Sequence, residues 1–177
     1  INRFVFTAKI ARESGFDGIQ LHSAHGYLLS QFLSPDINQR TDAWGGSLGN
    51  RARIHLEIIK KCREEVGNDF AISIKMNSAD FQKGGFSPED SIQVAKLFSD
   101  SGIDNIEISG GTYEQPRLLG LDKVSINPKR SENRKESTIA REAYFLSYAE
   151  EIAKVVNIPL MVLSLIHISE PTRRHSI

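Results

Sequence analysis

The sequence predicts an α/β fold, and within that class a fragment of a (β/α)8 TIM barrel, from two features of its hydrophobic pattern. Strand-like and helix-like segments alternate along the chain, which is typical of parallel βαβ units with right-handed crossovers. Each predicted strand is apolar on one face and small or polar on the other. Strands of an open doubly wound sheet should be apolar on both faces, because helices cover both. A barrel with its helices outside explains the single apolar face, so we favour the barrel.

The first half of the chain predicts a helix, a strand, a long loop and a second helix. Residues 2 to 14 place apolar side chains at helical spacing, and Gly15 stands where that helix should stop. An extended strand follows at residues 16 to 22. After the loop, Ser47 is suited to cap a helix that ends at Gly67. That helix carries one apolar stripe, which should be buried and consists of Ala52, Leu56, Ile59, Cys62 and Val66.

The second half repeats the pattern. It predicts a strand at 70 to 76, a helix at 88 to 102, a strand at 103 to 111, a connection to about Thr138, a helix at 140 to 156 and a strand at 158 to 162. The small or polar residues expected to point into the barrel lumen are Gly18, Gln20, Ala71, Ser73 and Glu107. A complete barrel has eight strands and typically about 250 residues. Four strands in 177 residues therefore predict about half a barrel.

The carboxyl ends of the predicted strands gather residues suited to chemistry. His22, Lys75 and Ser109 lie there on the lumen face, at the rim where such barrels hold their active sites. The stretch from His22 to Arg53 has no clean helical or strand period, yet its apolar side chains argue against disorder. It begins with His22, His25 and Tyr27, which mark it as an active-site loop. A metal site on the two histidines would need a further ligand, and none has the spacing for it.

Composition excludes several other classes of function. Lys plus Arg and Asp plus Glu each number 22, so no net charge attracts nucleic acid or an anionic membrane. The single cysteine excludes an intrachain disulfide, and no apolar run approaches the roughly 20 residues that span a bilayer. We expect a cytoplasmic protein that binds a small molecule, not nucleic acid or membrane. No signal pattern opens the chain, and its start at Ile1 rather than Met predicts a fragment.

Four motifs in order resemble the Old Yellow Enzyme family, also called the NADH:flavin oxidoreductase family. They read GFDGIQLHSAHGYLLSQFLSP at 15 to 35, NQRTDAWGGSLGNRAR at 38 to 53, IKMNSADF at 74 to 81 and IEISGGTYEQP at 106 to 116. The resemblance covers residues 1 to about 162 and implies an eight-stranded barrel with FMN at its C-terminal mouth. This chain would supply strands four to seven. The resemblance further implies NADH or NADPH as reductant and an α,β-unsaturated carbonyl as substrate, the activity of an ene-reductase.

The resemblance also implies roles for individual residues. His22 and His25 resemble the pair that donates hydrogen bonds to the substrate carbonyl, polarising it for hydride attack. Tyr27 resembles the tyrosine that gives a proton to the alkene carbon α to that carbonyl. Lys75 resembles the basic residue beside flavin N1 and O2, with His22 also in the cofactor site. Many relatives have arginine in place of Lys75, so here the charge matches but the bidentate fork is missing.

Other readings of these residues stay open. Tyr27 could only pack the loop, and Lys75 could form a salt bridge to Glu107 with or without a cofactor role. The segment NQRTDAWGGS should order the loop, with Gly45 and Gly46 serving its turn. One basic run could face the phosphates of a nicotinamide cofactor or form a solvated surface; it contains Lys129, Arg130, Arg134 and Lys135.

The C-terminal segment departs from the family pattern. No glycine follows Gly120, although the family places glycines near the flavin phosphate, where backbone amides must approach closely. Residues 163 to 177 read as a non-family tail of frame-shifted or adaptor origin, which leaves 1 to 162 as a partial FMN-binding barrel. We expect the chain as given to be inactive alone. The alternative to an enzyme is a non-catalytic half barrel, or an incomplete gene product, that associates with another copy.

Overall fold

The computed structural model describes residues 1–112 and 146–162, and everything below concerns those residues. Their elements in chain order are α1 (Asn2–Glu13), β1 (Gly18–Ser23), α2 (Leu28–Leu33), α3 (Leu48–Val66), β2 (Ala71–Asn77), α4 (Pro88–Asp100), β3 (Asn105–Ser109), α5 (Leu146–Ala153) and β4 (Leu160–Val162). The four strands form one sheet in the order β1, β2, β3, β4, and every neighbouring pair is parallel. This confirms the predicted α/β class. Each crossover moves the chain one strand along the sheet, as an arc of a barrel requires.

The predicted parity of the strands is confirmed on the apolar side. Ile72, Ile74 and Met76 of β2 are fully buried, as are Ile106 and Ile108 of β3. They pack in one core cluster with the stripe of α3, in which Cys62 is fully buried and Leu56 is partly buried. Full burial of an aliphatic side chain contributes roughly 1.5–3 kcal/mol, so this layer is the main source of stability.

The opposite side of the sheet carries the predicted polar residues. The register aligns Gln20 with Ser73, His22 with Lys75, and Lys75 with Glu107. We call the side formed by Gln20, His22, Ser73, Lys75 and Glu107 the polar face. Because side chains at alternate positions of a strand share a face, these residues lie together on three adjacent strands. The polar face therefore positions the candidate site.

Helix boundaries follow the predicted start and stop signals closely. Ser47 caps α3 by accepting a hydrogen bond from the Asn50 N–H at 3.4 Å, and Gly67 ends that helix with a φ of 71°. Pro88 begins α4 after the Ser87 cap. The predicted end of the last helix at Val156 is wrong. The helix stops at Ala153. The N–H groups of Lys154 and Val155 donate to carbonyls three residues earlier, which is the tighter 3₁₀ pattern common at helix ends.

The prediction of an aperiodic stretch from His22 to Arg53 is wrong in one segment. Residues Leu28–Leu33 form the short helix α2, which buries Leu29 and Leu33. No side chain caps this helix, and its six residues are too few to show a sustained helical period. Helices this short are not stable alone, so contact with α3 and β1 stabilises α2 rather than a local signal.

Several predicted features lie outside the described residues. They are most of the second long connection with its basic run, residues 140 to 145 of the last predicted helix, and the tail from residue 163. None of the helices that the structure does describe is long and apolar enough to cross a membrane.

Candidate active site

The structure brings three of the predicted site residues together at the carboxyl end of β1. His22 lies on the polar face, His25 in the turn after the strand, and Tyr27 immediately before α2. The ring centroids of His22 and His25 are 5.5 Å apart, and those of His22 and Tyr27 are 4.8 Å apart. The fourth predicted residue, Lys75, occupies the position on β2 that pairs with His22. The four therefore form one cluster, which we call the rim cluster.

His25 has a backbone conformation that few residues with side chains adopt. Its φ is 63°, and the following Gly26 has a φ of 82°. A left-handed conformation in a residue other than glycine costs on the order of 1–3 kcal/mol and persists only where the surroundings impose it. The turn between β1 and α2 thus holds the His25 ring at the rim instead of letting the strand continue.

Lys75 and Glu107 form an ion pair on the polar face. The Lys75 Nζ lies 2.7 Å from the Glu107 Oε1, and the Gln20 Nε2 donates to the Glu107 Oε2 at 2.8 Å. The Glu107 side chain is 4% exposed and that of Lys75 is 22% exposed. The salt bridge considered from the sequence is therefore confirmed, and it compensates a carboxylate that burial would otherwise penalise strongly.

Both histidines of the rim cluster are neutral near pH 7. Burial lowers the pKa of His25 to about 4, and the Lys75 ammonium, and His22 when protonated, act in the same direction. Burial also lowers the pKa of His22, assisted by Lys75 and opposed by Glu107. A neutral imidazole has one N–H donor and one bare nitrogen acceptor. Each ring can therefore donate one hydrogen bond without bringing a charge into the site.

Two further residues belong to the site: Ser109, which the sequence placed at the rim without a role, and Asn77, which it did not single out. Asn77 is 1% exposed at the end of β2, and its Oδ1 accepts a hydrogen bond from the His25 N–H at 3.1 Å. The Ser109 Oγ lies 2.6 Å from the His25 Nε2. Asn77 lies two positions after Lys75 on β2, so strand alternation places both on the polar face. The position of Asn77 could therefore have been predicted from the sequence.

The loop between α2 and α3 is ordered by its own polar groups, as expected. The Asn38 Nδ2 donates to the carbonyls of Phe32 and Trp44, each at 2.8 Å. The buried Arg51 guanidinium pairs with Asp90 at 2.8 Å and donates to the carbonyl of Gly46 at 3.2 Å. None of these bonds joins a residue of the rim cluster, so they order the loop itself.

The donors available to a cofactor or metal are few and specific. Lys75 and His22 are the partly exposed hydrogen-bond donors of the polar face nearest the rim. A cation beside an imidazole suits the electron-rich pyrimidine end of a flavin. Within residues 1–112 and 146–162, no three His, Cys, Asp or Glu side chains gather as a metal site requires.

Residues 1–145 match the sequence pattern of the NADH:flavin oxidoreductase / NADH oxidase family. The chain belongs to that family. An NADH oxidase from Thermoanaerobacter brockii is a family relative with 40% identity over 167 residues, which are 94% of this chain and 23% of that protein. The predicted membership is confirmed.

Solved structures of NADH:flavin oxidoreductase relatives share the fold. A 2-naphthoyl-CoA reductase in complex with 2-naphthoyl-CoA is 31% identical with a TM-score of 0.73, over 91% of this chain and 22% of that one. An Old Yellow Enzyme homologue from Zymomonas mobilis is 24% identical with a TM-score of 0.64, over 92% of this chain and 40% of that one. The four-stranded parallel sheet thus corresponds to part of an Old Yellow Enzyme-like barrel. The chain spans between a fifth and two fifths of the length of these proteins.

Proposed function

We propose that this chain forms part of the active site of an FMN-dependent NAD(P)H oxidoreductase that reduces activated alkenes. The substrate would be a small α,β-unsaturated carbonyl compound. The observation that carries the proposal is that the imidazole rings of His22 and His25 lie with their centroids 5.5 Å apart at the rim of a parallel sheet. Burial lowers the pKa of both rings, which favours the uncharged form. Residues 1–162 would supply strands four to seven of the barrel, and residues 163–177 would lie outside it.

In this proposal His22 and His25 bind the substrate carbonyl. Each ring donates one N–H to the same oxygen, on which negative charge develops as the alkene accepts hydride. Donors already held in place need no reorganisation during the reaction, and removing one such donor costs about 3–4 kcal/mol in comparable enzymes. The left-handed backbone of His25, with its φ of 63°, is in keeping with a ring held in advance for this purpose.

Tyr27 delivers the proton that completes the reduction. Its ring lies 4.8 Å from that of His22, and the residue is 45% exposed at the rim. A molecule bound to the histidines would therefore be within reach of the phenol. General-acid assistance of this type typically accelerates a reaction roughly 100- to 10,000-fold. The phenolic proton would go to the carbon α to the carbonyl.

Lys75 and His22 would hold the flavin. When bound, FMN supplies the hydride for the alkene and regains it from NADH or NADPH. The Lys75 ammonium remains 22% exposed although it pairs with Glu107, so it can contact a second negatively polarised group. A fixed cation on this face favours electron density at the adjacent end of the flavin.

The 31% identical relative is named for 2-naphthoyl-CoA, whose carbonyl is conjugated with an unsaturated ring, and this agrees with the proposed substrate class.

The experiment uses the native gene product that contains this chain, purified with its flavin and assayed with NADH and a cyclic enone. We expect Tyr27→Phe to lower the turnover of the enone at least 100-fold, from the general-acid magnitude. Tyr148→Phe removes the same hydroxyl from a tyrosine in α5, near Phe81, and is the matched control. Equal turnover of the enone by the parent and Tyr27→Phe would refute the role of Tyr27.

A second candidate is a non-catalytic half barrel that associates with another copy. It is favoured by the sheet order, in which β1 and β4 stand at the two ends of the described sheet. Exposed edges of this kind tend to pair with other chains. For this candidate we propose that residues 1–177 expressed alone form a dimer that binds no stoichiometric FMN, measured by light scattering and flavin absorbance. A defined dimer that binds FMN would contradict a non-catalytic half barrel and support a flavin-binding barrel assembled from two copies.

A further inference from the structure

We infer that Asn77 and Ser109 are positioning residues for His25, and that the Ser109 hydroxyl selects the imidazole tautomer that presents Nδ1–H to the substrate. The inference rests on the proposed function, in which His25 donates a hydrogen bond to a carbonyl. It is carried by the contacts that fix the backbone and the ring of His25 from two neighbouring strands.

Asn77 fixes the backbone of His25. Its Nδ2 donates to the Asp80 Oδ1 and to the Gly111 carbonyl, both at 2.9 Å. Both partners are acceptors, so the amide nitrogen must face them and the amide oxygen must face the His25 N–H. That N–H lies 3.1 Å from the Oδ1. The Asn77 side chain thus has one possible orientation, and in that orientation it holds the left-handed backbone of His25.

Asp80 fixes Asn77 in turn. Its Oδ2 accepts from the Phe86 N–H at 3.0 Å, and its own N–H donates to the Phe86 carbonyl at 2.9 Å. Asp80 is 2% exposed. A hydrogen-bond network in which every buried member has a partner is rigid, whereas a network with one missing partner is costly. The turn after β2 is therefore rigid, and Asn77 links the turn after β1 to it.

Ser109 is held by the same rigid turn and contacts the ring of His25. The Ser78 N–H donates to the Ser109 carbonyl at 2.6 Å, which joins the ends of β2 and β3. The Ser109 Oγ then lies 2.6 Å from the His25 Nε2. Among the described residues this is the one hydrogen bond of the His25 ring. Nδ1 is therefore the nitrogen left for a bound molecule.

The tautomer follows from the direction of that bond. If Nε2–H donated to Ser109, Nδ1 would be bare and could only accept, which is useless for a carbonyl oxygen. If the Ser109 hydroxyl donates to Nε2, the single proton of the neutral ring stays on Nδ1 and can be donated. The hydrogen bond made by one ring nitrogen commonly decides which nitrogen carries the proton. Ser109 is the residue placed to do this.

The test measures the tautomer directly, by nitrogen NMR of the native gene product with ¹⁵N-labelled histidine, assigned with a His25→Gln variant. We expect the resonances of His25 to show a protonated Nδ1 and a bare Nε2. Ser109→Ala should move the proton towards Nε2, and Ser109→Thr, which keeps the hydroxyl, should retain it on Nδ1. A protonated Nε2 in the parent protein, or a tautomer unchanged in Ser109→Ala, would overturn the inference.

Kinetics separate this inference from the proposed function. Loss of a group that orients a functional histidine commonly costs about 10- to 100-fold. We expect that loss in kcat for the enone with Ser109→Ala, with KM changed much less, and recovery in Ser109→Thr. If His25→Gln does not slow enone reduction, the proposed function fails while the tautomer result stands. If His25→Gln slows it but Ser109→Ala changes neither rate nor tautomer, the positioning role fails alone.

Discussion

The Lys75 ammonium lies 2.7 Å from the Glu107 carboxylate on the neighbouring strand, and the two side chains are unequally buried. Glu107 is 4% exposed and Lys75 is 22% exposed. The polar face therefore holds a carboxylate that depends on its partner and an ammonium that water can still reach. This asymmetry gives the pair different consequences when either member is removed.

Lys75→Met should destabilise the protein more than Glu107→Gln. The first change leaves the Glu107 charge buried with Gln20 as its remaining donor, and breaking a buried pair in this way costs about 3–5 kcal/mol. The second leaves Lys75 charged but partly hydrated, so the loss should be smaller. Urea unfolding of the native gene product measures both, and the double variant Lys75→Met/Glu107→Gln should recover much of the lost stability. A larger loss in Glu107→Gln would contradict this description of the pair.

Lys75 and Glu107 should shift the pKa values of both rim histidines, each in the opposite direction to the other. Lys75 lowers the pKa of both His22 and His25, whereas Glu107 raises them. We therefore expect Lys75→Met to raise both pKa values and Glu107→Gln to lower them further. An NMR titration of the two rings measures this, with Arg40→Gln as a control at an exposed ion pair of the loop. Shifts of the same sign in both variants would show that burial changes, rather than charge, control these rings.

Stability should fall between about pH 6.5 and pH 4 because of His55. This histidine is fully buried, with its Nε2 2.8 Å from the Ser23 Oγ, and burial lowers its pKa to about 4. The unfolded chain binds a proton near pH 6.5 while the folded chain does not, so acid favours unfolding. The expected loss from pH 7 to pH 5 is roughly 2 kcal/mol.

Variants at this buried pair separate the proton effect from packing. His55→Leu should reduce the pH dependence of the free energy of unfolding without abolishing it, because the pKa values of His25 and His22 are also lowered and still contribute. Ser23→Ala keeps the slope, because burial rather than the hydrogen bond is the main cause of the pKa shift. Denaturant unfolding at several pH values measures both. An unchanged slope in His55→Leu would mean that other groups govern the acid sensitivity.

Gly45→Ala should destabilise the loop before α3, whereas Gly49→Ala should not. A Cβ at Gly45 would collide with the carbonyl oxygen of Arg40, while a Cβ at Gly49 meets nothing within 4 Å. Overpacking of this kind typically costs about 1–3 kcal/mol. Gly49 lies within α3, where alanine is favoured by up to about 1 kcal/mol. Thermal unfolding of the two variants compares them, and similar midpoints would contradict the collision.

The sequence predicted the strands well because alternation is a local signal. The buried isoleucines of β2 and β3, and the opposite placement of His22 and Lys75, follow from the period of two. The cap at Ser47 and the stop at Gly67 were equally local. The predicted apolar stripe of α3 was incomplete, because it left out Ile58 and His55, both of which are fully buried. Histidine is intermediate in burial, so its burial does not follow from residue type.

The hydrogen bonds around His25 could not be predicted from local patterns. Its contacts come from Asn77 and Ser109, which are 52 and 84 residues away along the chain. These contacts form only when the carboxyl ends of β1, β2 and β3 lie side by side in the folded sheet. The left-handed φ of His25 depends on the same tertiary contacts. The short helix α2 has the same origin, since tertiary packing rather than propensity stabilises it. The family resemblance assigned roles to the residues at the rim, whereas the structure identified Asn77 and Ser109 as the residues that position His25.

If His22 and His25 polarise a bound carbonyl, as proposed, the most direct measurement of it is the anaerobic reoxidation of the reduced flavoprotein by a cyclic enone. In a stopped-flow instrument, His25→Ala should slow this step on the order of 100- to 1,000-fold. His25 is the residue to change because His22 is also proposed to hold the flavin. Reoxidation of the same variant by molecular oxygen should keep its parental rate, because oxygen presents no carbonyl to the histidines. Parental rates with the enone, or an equal loss with enone and oxygen, would contradict the claim.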